Sequence, residues 1–354
     1  NTYLKNFNEN DVINIITKEA NKDKKIFVTT FNEFNVELIG IINEKFGFPG
    51  INKNISQYFR CKKLMKKIAK DVSFIVPKYM DLTKNLCIKN LDSYFKETMS
   101  YFNNSFIVKP TNAAGSYGVK LIENCQQFIS YYKNLDNNFS YIMEEYIPGK
   151  VYHCDVFVDN YEVNTAYMAC YNRPMHDFFM GVSVGSAPLI DDSLLNKFIC
   201  NIDKLIKSIN LQQGILHIEF IFHEKLNIFY FLEMAYRPGG GLIMKMYENT
   251  FGNNLIEMAI YNKCGIKYIK KNELFYSAWI LIPKKNGTIK KFLEPSISSD
   301  LTFDKRVSIG DTVYESKTMR DISMQVFIKS KDYNTLIREF KILCEFGFIE
   351  YHQN

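Results

Sequence analysis

Two acids within residues 217–241, HIEFIFHEKLNIFYFLEMAYRPGGG, restrict this chain more than any other feature. The runs HIEFIF and IFYFLEM are rich in Phe, Ile and Tyr, and His223–Asn227 between them is a polar break. That pattern predicts two antiparallel strands joined by a short turn. Glu219 and Glu233 lie about symmetrically around the break, so they should face each other on one side of the pair. Two facing carboxylates repel and resist ionisation, and a hard divalent cation bridging them is the simplest remedy. Phe220, Ile221, Phe222, Phe229, Phe231 and Leu232 leave little room for a solvated face, and buried charge needs a partner. Arg237 and Gly239, Gly240 and Gly241 follow at once, a cation beside a flexible run of N–H donors. Together they read as a phosphate-handling catalytic edge. His217 shares a strand face with Glu219 and is placed to orient it or to approach a substrate.

A chain of 354 residues is too long for one simple core, so two or three domains are expected. Its 47% hydrophobic and 15% aromatic content is globular, not disordered. No apolar run approaches the roughly 18 residues that span a bilayer, and the opening NTYLKNFNENDV has no signal-peptide core. The eight cysteines lie far apart with no C-x-x-C, which fits neither a zinc site nor a disulfide framework. Reduced thiols and a cytoplasmic setting are expected. A net charge of +6, with lysines scattered among acids, favours anionic small ligands weakly and does not argue for nucleic acid.

Lys25–Thr30 reads as a buried strand and Asn35–Phe46 as a helix, ended by Gly47–Gly50. Residues 60–70, RCKKLMKKIAK, form a basic amphipathic helix that stops before Pro77, and Leu91–Tyr101 a short helix. Strands follow at Phe106–Pro110 and Val119–Ile122, then a helix over Glu123–Asn134 and a strand at Tyr141–Met143. YHCDVFV and VNTAYMA are further strands, and Asp192–Ile209 is a helix with Asp192 or Ser193 as N-cap. Beyond the opening hairpin come a helix near Asn254–Tyr261 and strands Tyr276–Ile282 and Thr288–Phe292. The Asn286–Gly287 pair between those strands predicts a hairpin. Strands near Arg306–Tyr314 and Ile322–Ile328 and a helix over Tyr333–Phe346 complete an α+β chain with mostly antiparallel sheets.

Lys109 ends a strand just before the loop NAAGSYG. Gly115 and Gly118 there can take backbone conformations that let amides close on an anion, with Lys109 as a point charge on phosphate oxygens. The loop is no Walker A motif, because no G-K-[ST] ends it and a strand follows it. In MEEYIPG, Glu144 and Glu145 precede an apolar step at Ile147 and a turn. The segment suits either an adenine and ribose clamp or an ordinary strand end. His153 and Asp155 share a strand face, where they would line a nucleotide pocket or form a hydrogen-bonded core pair. Arg173 and His176 sit in the loop YNRPMHDFFMG, which suits a substrate carboxylate or an ordinary surface.

In their order, these pieces resemble the ATP-grasp superfamily of carboxylate–amine ligases, from about Phe27 onward and best from Lys62 to Gly241. RCKKLMK is similar to the family's lysine-bearing helix, with Lys62 at the nucleotide-contacting lysine. FIVKPTNAAGSYGV resembles the phosphate lid, which implies ATP contacts from Lys109, Gly115, Ser116 and Gly118. EEYIPG resembles the adenine hinge, with Glu144, Glu145 and Ile147 at its positions and His153 beyond. HIEF and FLEMAYRPGGG resemble the metal and catalytic strands. That implies Glu219 and Glu233 as metal ligands, Arg237 as the catalytic cation, and His217 with Gly239–Gly241 toward the substrate. G-x-x-H-I-E followed by L-E-M-x-x-R-P-G-G-G is most similar to bacilysin-type L-amino-acid ligases and carnosine-synthase-like relatives.

The resemblance implies an ATP-grasp fold, two α+β subdomains clamping ATP. Residues 1–58 would be a short, truncated or reduced α/β pre-grasp domain and 59–149 the lid subdomain with the lysine helix. Residues 150–265 would carry the metal site, and 266–354 a strand-rich segment packed on it. The implied cofactors are ATP and Mg2+, with Mn2+ as a substitute. The implied partners are a small-molecule carboxylate and an amine, with no nucleic acid, no membrane and room for a homodimer. The implied reaction joins the two through an acyl phosphate, two amino acids being one such pair. Another ATP-grasp ligase of nucleotide or carboxylate metabolism, or a non-catalytic ATP-binding module, is the alternative. Two positions depart from the pattern. Ala235 stands where members carry Asn, and Lys150 and Val151 replace an acid after the hinge glycine.

Overall fold

The computed structural model describes residues 9–20, 26–86, 88–103 and 105–352. Alternation of large apolar and polar residues produces strands, and every strand pairing among them is antiparallel. A four-stranded sheet runs in the order Tyr79–Asp81, Tyr141–Glu145, Phe106–Pro110, Lys120–Ile122. Helices Leu91–Phe102 and Cys125–Lys133 cover it, burying Phe95, Phe102, Phe106 and Phe128 in one cluster. An eight-stranded sheet begins at Lys150 and has the strands Lys150–Asp159 and Gly214–His223 near one side. The expected hairpin partner, Ile228–Ala235, is its edge strand. The segment after 266 supplies three strands to the same sheet: Tyr276–Pro283, Asp300–Lys305 and Ile322–Ser330.

Helices pack on both faces of the large sheet. Helix Ser193–Ser208 sets Ile202, Leu205 and Ile206 at helical spacing against Leu216, Ile218 and Phe220. Helices Ile243–Phe251 and Leu255–Cys264 bury Met246, Tyr247 and Leu255 against Phe157 and Trp279. Among the described residues no helix is long and apolar enough to cross a membrane.

Three local expectations need correction. Residues 26–30 form no strand, and Lys25 lies outside the described residues. The strand expected near Arg306–Tyr314 is confined to Thr312–Val313; Asp192 is the N-cap as expected, though without a side-chain cap bond, and Asp191 accepts the Ser193 N–H at 2.9 Å. The Asn286–Gly287 step does not make a hairpin, because strand Tyr276–Pro283 already has Val184–Pro188 on one side and Ile322–Ser330 on the other. With both edges filled, strand Gly287–Phe292 pairs in a separate three-stranded sheet with Thr312–Val313 and Ile349–His352.

Candidate active site

The four-stranded sheet and the end of the large sheet carrying both acids enclose one cleft. It is an open cleft, and water-sized space within it amounts to about 140 Å³. Of the expected residues, Lys62, Lys109, Gly115, Ser116, Glu144, Glu145, Ile147, Glu219 and Glu233 line it. Gly118, His153, His217, Arg237 and the three glycines after it do not.

Glu219 and Glu233 are direct register partners, and the ladder shifts immediately beyond them. The next pair is Phe220 with Phe231, so Leu232 is the extra residue of a bulge. The bulge turns both phenylalanines into the core, fully buried, while the two acids open on the cleft. The expectation of resisted ionisation is corrected at Glu233 by its surroundings. Burial works against the charge on Glu233, but Lys62, Lys109 and Arg237 outweigh it and bring its carboxyl down to about 2. The Lys62 amine lies 3.6 Å from Glu233, whose side chain is 36% exposed. Two carboxylates on one face form a hard-oxygen donor set that suits Mg2+ or Mn2+. Ala235, opposite His217 in the register, adds no oxygen.

Helix Lys62–Asp71 is amphipathic in an unexpected sense. Its buried stripe is Lys62, Met65, Lys66 and Ala69, so two of its lysines point inward. Lys62 donates to the Ala113 carbonyl at 2.6 Å, fastening the helix to the loop after Pro110. Arg60 adds a second tie, to the Asn112 carbonyl at 2.8 Å. Gly115, Ser116 and Gly118 all have positive φ in that loop, as the proposed anion-cradling turn requires.

Lys66 escaped the sequence reading. It is fully buried, and its amine pairs with Glu144 at 2.9 Å and reaches the Leu232 carbonyl at 3.3 Å. The second Glu144 oxygen lies 2.9 Å from the Lys109 amine. Glu144 is therefore the centre of a buried lysine–acid–lysine triad, where the hinge resemblance had set it against adenine. Burial lowers the Lys66 ammonium to about 8. The same burial acts on Lys109, but Glu144 and Glu233 outweigh it and raise that amine. Glu145 instead accepts the Lys78 N–H at 3.2 Å. Lys66 stands one turn after Lys62, and that i, i+4 spacing was the signal available.

His153 is fully buried and held by Asp155 at 2.7 Å and Ser186 at 2.8 Å, so the core-histidine reading is the one the geometry matches. Asp155 is a buried hub. It also receives His217 Nδ1 at 2.9 Å, the Tyr247 hydroxyl at 3.0 Å and the Gly239 N–H at 3.0 Å. His217 Nε2 reaches Glu219 at 3.3 Å, which fits the orienting role. Burial disfavours charge on His217, but Asp155 and then Glu219 overcome it and raise the ring to about 9. A ring-proton titration by NMR should find this midpoint well above the ordinary 6.5 or so; a midpoint at or below it would break the network. Because the folded value is the raised one, the stability His217 contributes is complete below the unfolded pKa. It is lost as pH rises through about 9.

Arg237 lines a second, smaller pocket. Its Nε donates to Glu33 at 2.9 Å and its Nη1 to the Pro238 carbonyl at 3.0 Å. Glu33, from the short 3-10 turn Glu33–Asn35, also meets Arg60 at 3.5 Å. No local motif marked it. Gly239 has no room for a Cβ, which would lie 2.7 Å from an Asp155 oxygen, and Gly241 (φ 61°) packs on the Trp279 ring. His176 lines the main cleft, whereas Arg173 is drawn off to an ion pair with Glu345.

Comparison with known proteins extends this picture. The family described as ATP-grasp domain matches residues 102–245. No curated protein sequence matches the chain. Among solved structures, an L-amino acid ligase from Bacillus licheniformis superposes with a TM-score of 0.72 at 12% identity, over 98% of this chain and 86% of that one. Phosphoribosylglycinamide synthetase from Anaerococcus prevotii gives 0.64 at 17% identity, over 100% and 88%. N5-carboxyaminoimidazole synthetase from Staphylococcus aureus, complexed with ADP, gives 0.66 at 13%, over 97% and 85%. Residues 102–245 thus match an ATP-grasp domain, and the chain as a whole takes the ATP-grasp fold.

Proposed function

We propose that this chain is an ATP-dependent carboxylate–amine ligase that forms an amide through an acyl phosphate, with two amino acids as its substrates. The observation that carries the reading is the convergence of Glu219, Glu233, Lys62 and Lys109 on one cleft. Residues 59–149 act as the lid subdomain and 150–265 as the metal-bearing one. Glu219 and Glu233 would hold Mg2+ or Mn2+. Bound there, the ion supplies positive charge against the phosphate oxygens. Lys62 and Lys109 neutralise further charge on the phosphoryl group, and Arg237 steadies the acyl phosphate. His217 orients Glu219, itself held by Asp155. The loop Asn112–Gly118, anchored at its start by Arg60 and Lys62, closes over the reacting atoms and keeps water from the acyl phosphate. The same reading implies reduced thiols and a cytoplasmic setting.

Incubation with Mg-ATP and pools of amino acids tests the proposal. Amino-acid-dependent ADP release accompanied by a new amide mass is expected. Tight ATP binding without turnover on any carboxylate would instead make the chain a non-catalytic module.

A further inference from the structure

Glu33 is one carboxylate shared by two arginines from distant parts of the chain. Its Oε2 accepts the Arg237 Nε–H at 2.9 Å, and its Oε1 meets Arg60 Nη1 at 3.5 Å. The other arm of Arg60 donates through Nη2 to the Asn112 carbonyl at 2.8 Å. These contacts form an unbroken chain from the first residue of the lid loop, through Arg60 and Glu33, to Arg237. The Arg60, Glu33 and Arg237 side chains are only 9%, 13% and 24% exposed, so water and salt screen the links little.

Local structure holds the carboxylate still. The Thr30 hydroxyl accepts the Asn32 N–H at 3.0 Å, and the Asn32 side chain accepts the Phe34 N–H at 3.1 Å, which braces the backbone on either side of Glu33. Helix Val36–Phe46 anchors that turn by burying Val36, Ile39 and Ile42 in the same core as Phe220 and Phe231. The Phe34 ring lies 5.3 Å from the Arg60 guanidinium, a third hold on that side chain. Arg237 precedes Pro238 and three glycines, a backbone that by itself fixes a side chain weakly. With Nε on Glu33 and Nη1 on the Pro238 carbonyl, protein acceptors set the plane of its guanidinium. Burial disfavours the Arg237 charge, and Glu33, ahead of Glu219, more than offsets that. A cation meant to meet a developing charge is effective only when it is held in place beforehand.

We infer that Glu33 is a positioning residue for the reaction: its carboxylate sets the Arg237 guanidinium and, through Arg60, ties it to the base of the lid loop, so that the cation and the cover over the cleft are placed together. The inference rests on the ligase reading and adds to it a residue that acts only through the two arginines.

Glu33→Gln keeps the shape of the side chain and removes its charge. Amino-acid-dependent ADP release should lose about tenfold in kcat, the difference that a charge-assisted hydrogen bond makes. KM for ATP should stay within about twofold, because the nucleotide contacts are untouched. Adding Arg60→Met to Glu33→Gln should lower kcat little further, since both substitutions break one chain of contacts. Amide hydrogen exchange tests the link without turnover. With Mg-ADP bound, residues 113–118 should exchange about threefold or more faster in Glu33→Gln than in the wild type, while helix Tyr333–Glu345 keeps its protection. An unchanged kcat, additive losses from the two substitutions, or lid exchange that stays as it was would each overturn the inference. Faster exchange throughout the protein would also overturn it, by showing a glutamate that only supports the fold. A wild type that releases no ADP with any amino acid, in which lid exchange still answers to Glu33, would sink the ligase reading and leave the link standing. Turnover on amino acids with a lid indifferent to Glu33→Gln would sink the link alone.

Discussion

Replacing Glu233 by glutamine is expected to cut amino-acid-dependent ADP release by about 100-fold or more, the scale of losing a preorganised electrostatic group. Folding should hardly change. The Glu233 side chain is 36% exposed to the cleft, and glutamine keeps its shape. What disappears is the charge that Lys62, Lys109 and Arg237 together stabilise. Its loss has a second, opposite consequence. With one of the two cleft acids neutral, the lysines dominate the local field, so ATP in the absence of a divalent cation should bind more tightly to the variant than to the wild type. Slower turnover with tighter metal-free ATP binding is a signature that a merely structural glutamate would not produce. Steady-state kinetics and calorimetry with and without Mg2+ measure both. Normal turnover in the variant would remove Glu233 from the metal site.

The acid pair was legible because strand pairing acts over short sequence distance. Two β-rich runs around a polar break fix which residues face each other, and Glu219 and Glu233 do. The lid glycines were legible for a similar reason, since few other residues take positive φ readily. Legibility failed where tertiary partners decide. Glu144 looked like a hinge acid because nothing in MEEYIPG shows that Lys66, 78 positions earlier, reaches it. Lys66 itself looked like one of many solvated lysines on a basic helix. Its burial depends on which stripe of that helix meets the edge strand Ile228–Ala235. Glu33, held 204 positions from Arg237, carried no motif at all. The misplaced hairpin at Asn286–Gly287 has the same root. A turn signal says that the chain reverses, but not whether the preceding strand has an edge left to pair.

Glu144→Gln is expected to be the most destabilising single change near the site, by about 3–5 kcal/mol, the usual consequence of removing one partner from a buried ion pair. Glu144 is 2% exposed, and Lys66 and Lys109 are 0% and 5% exposed. Neutralising the acid leaves two buried ammonium groups facing an amide, with little water to screen them. The pH dependence identifies the cause. Burial already lowers Lys66 to about 8, against the attraction of Glu144. Its folded value lies below its unfolded one, so the folded state binds fewer protons between the two, and this contribution to stability grows as pH rises through that window. Without Glu144 the amine falls further, and the folded variant escapes its penalty by releasing the Lys66 proton. The deficit of Glu144→Gln should therefore be smaller at about pH 9 than at about pH 7. For the same reason, adding Lys66→Met to Glu144→Gln should recover part of the lost stability, whereas Lys66→Met alone should destabilise the wild type. Denaturant unfolding of the four proteins in this cycle measures the coupling directly. Strict additivity, or a deficit that does not shrink with rising pH, would show that the triad is a neighbourhood of charges and not a coupled unit.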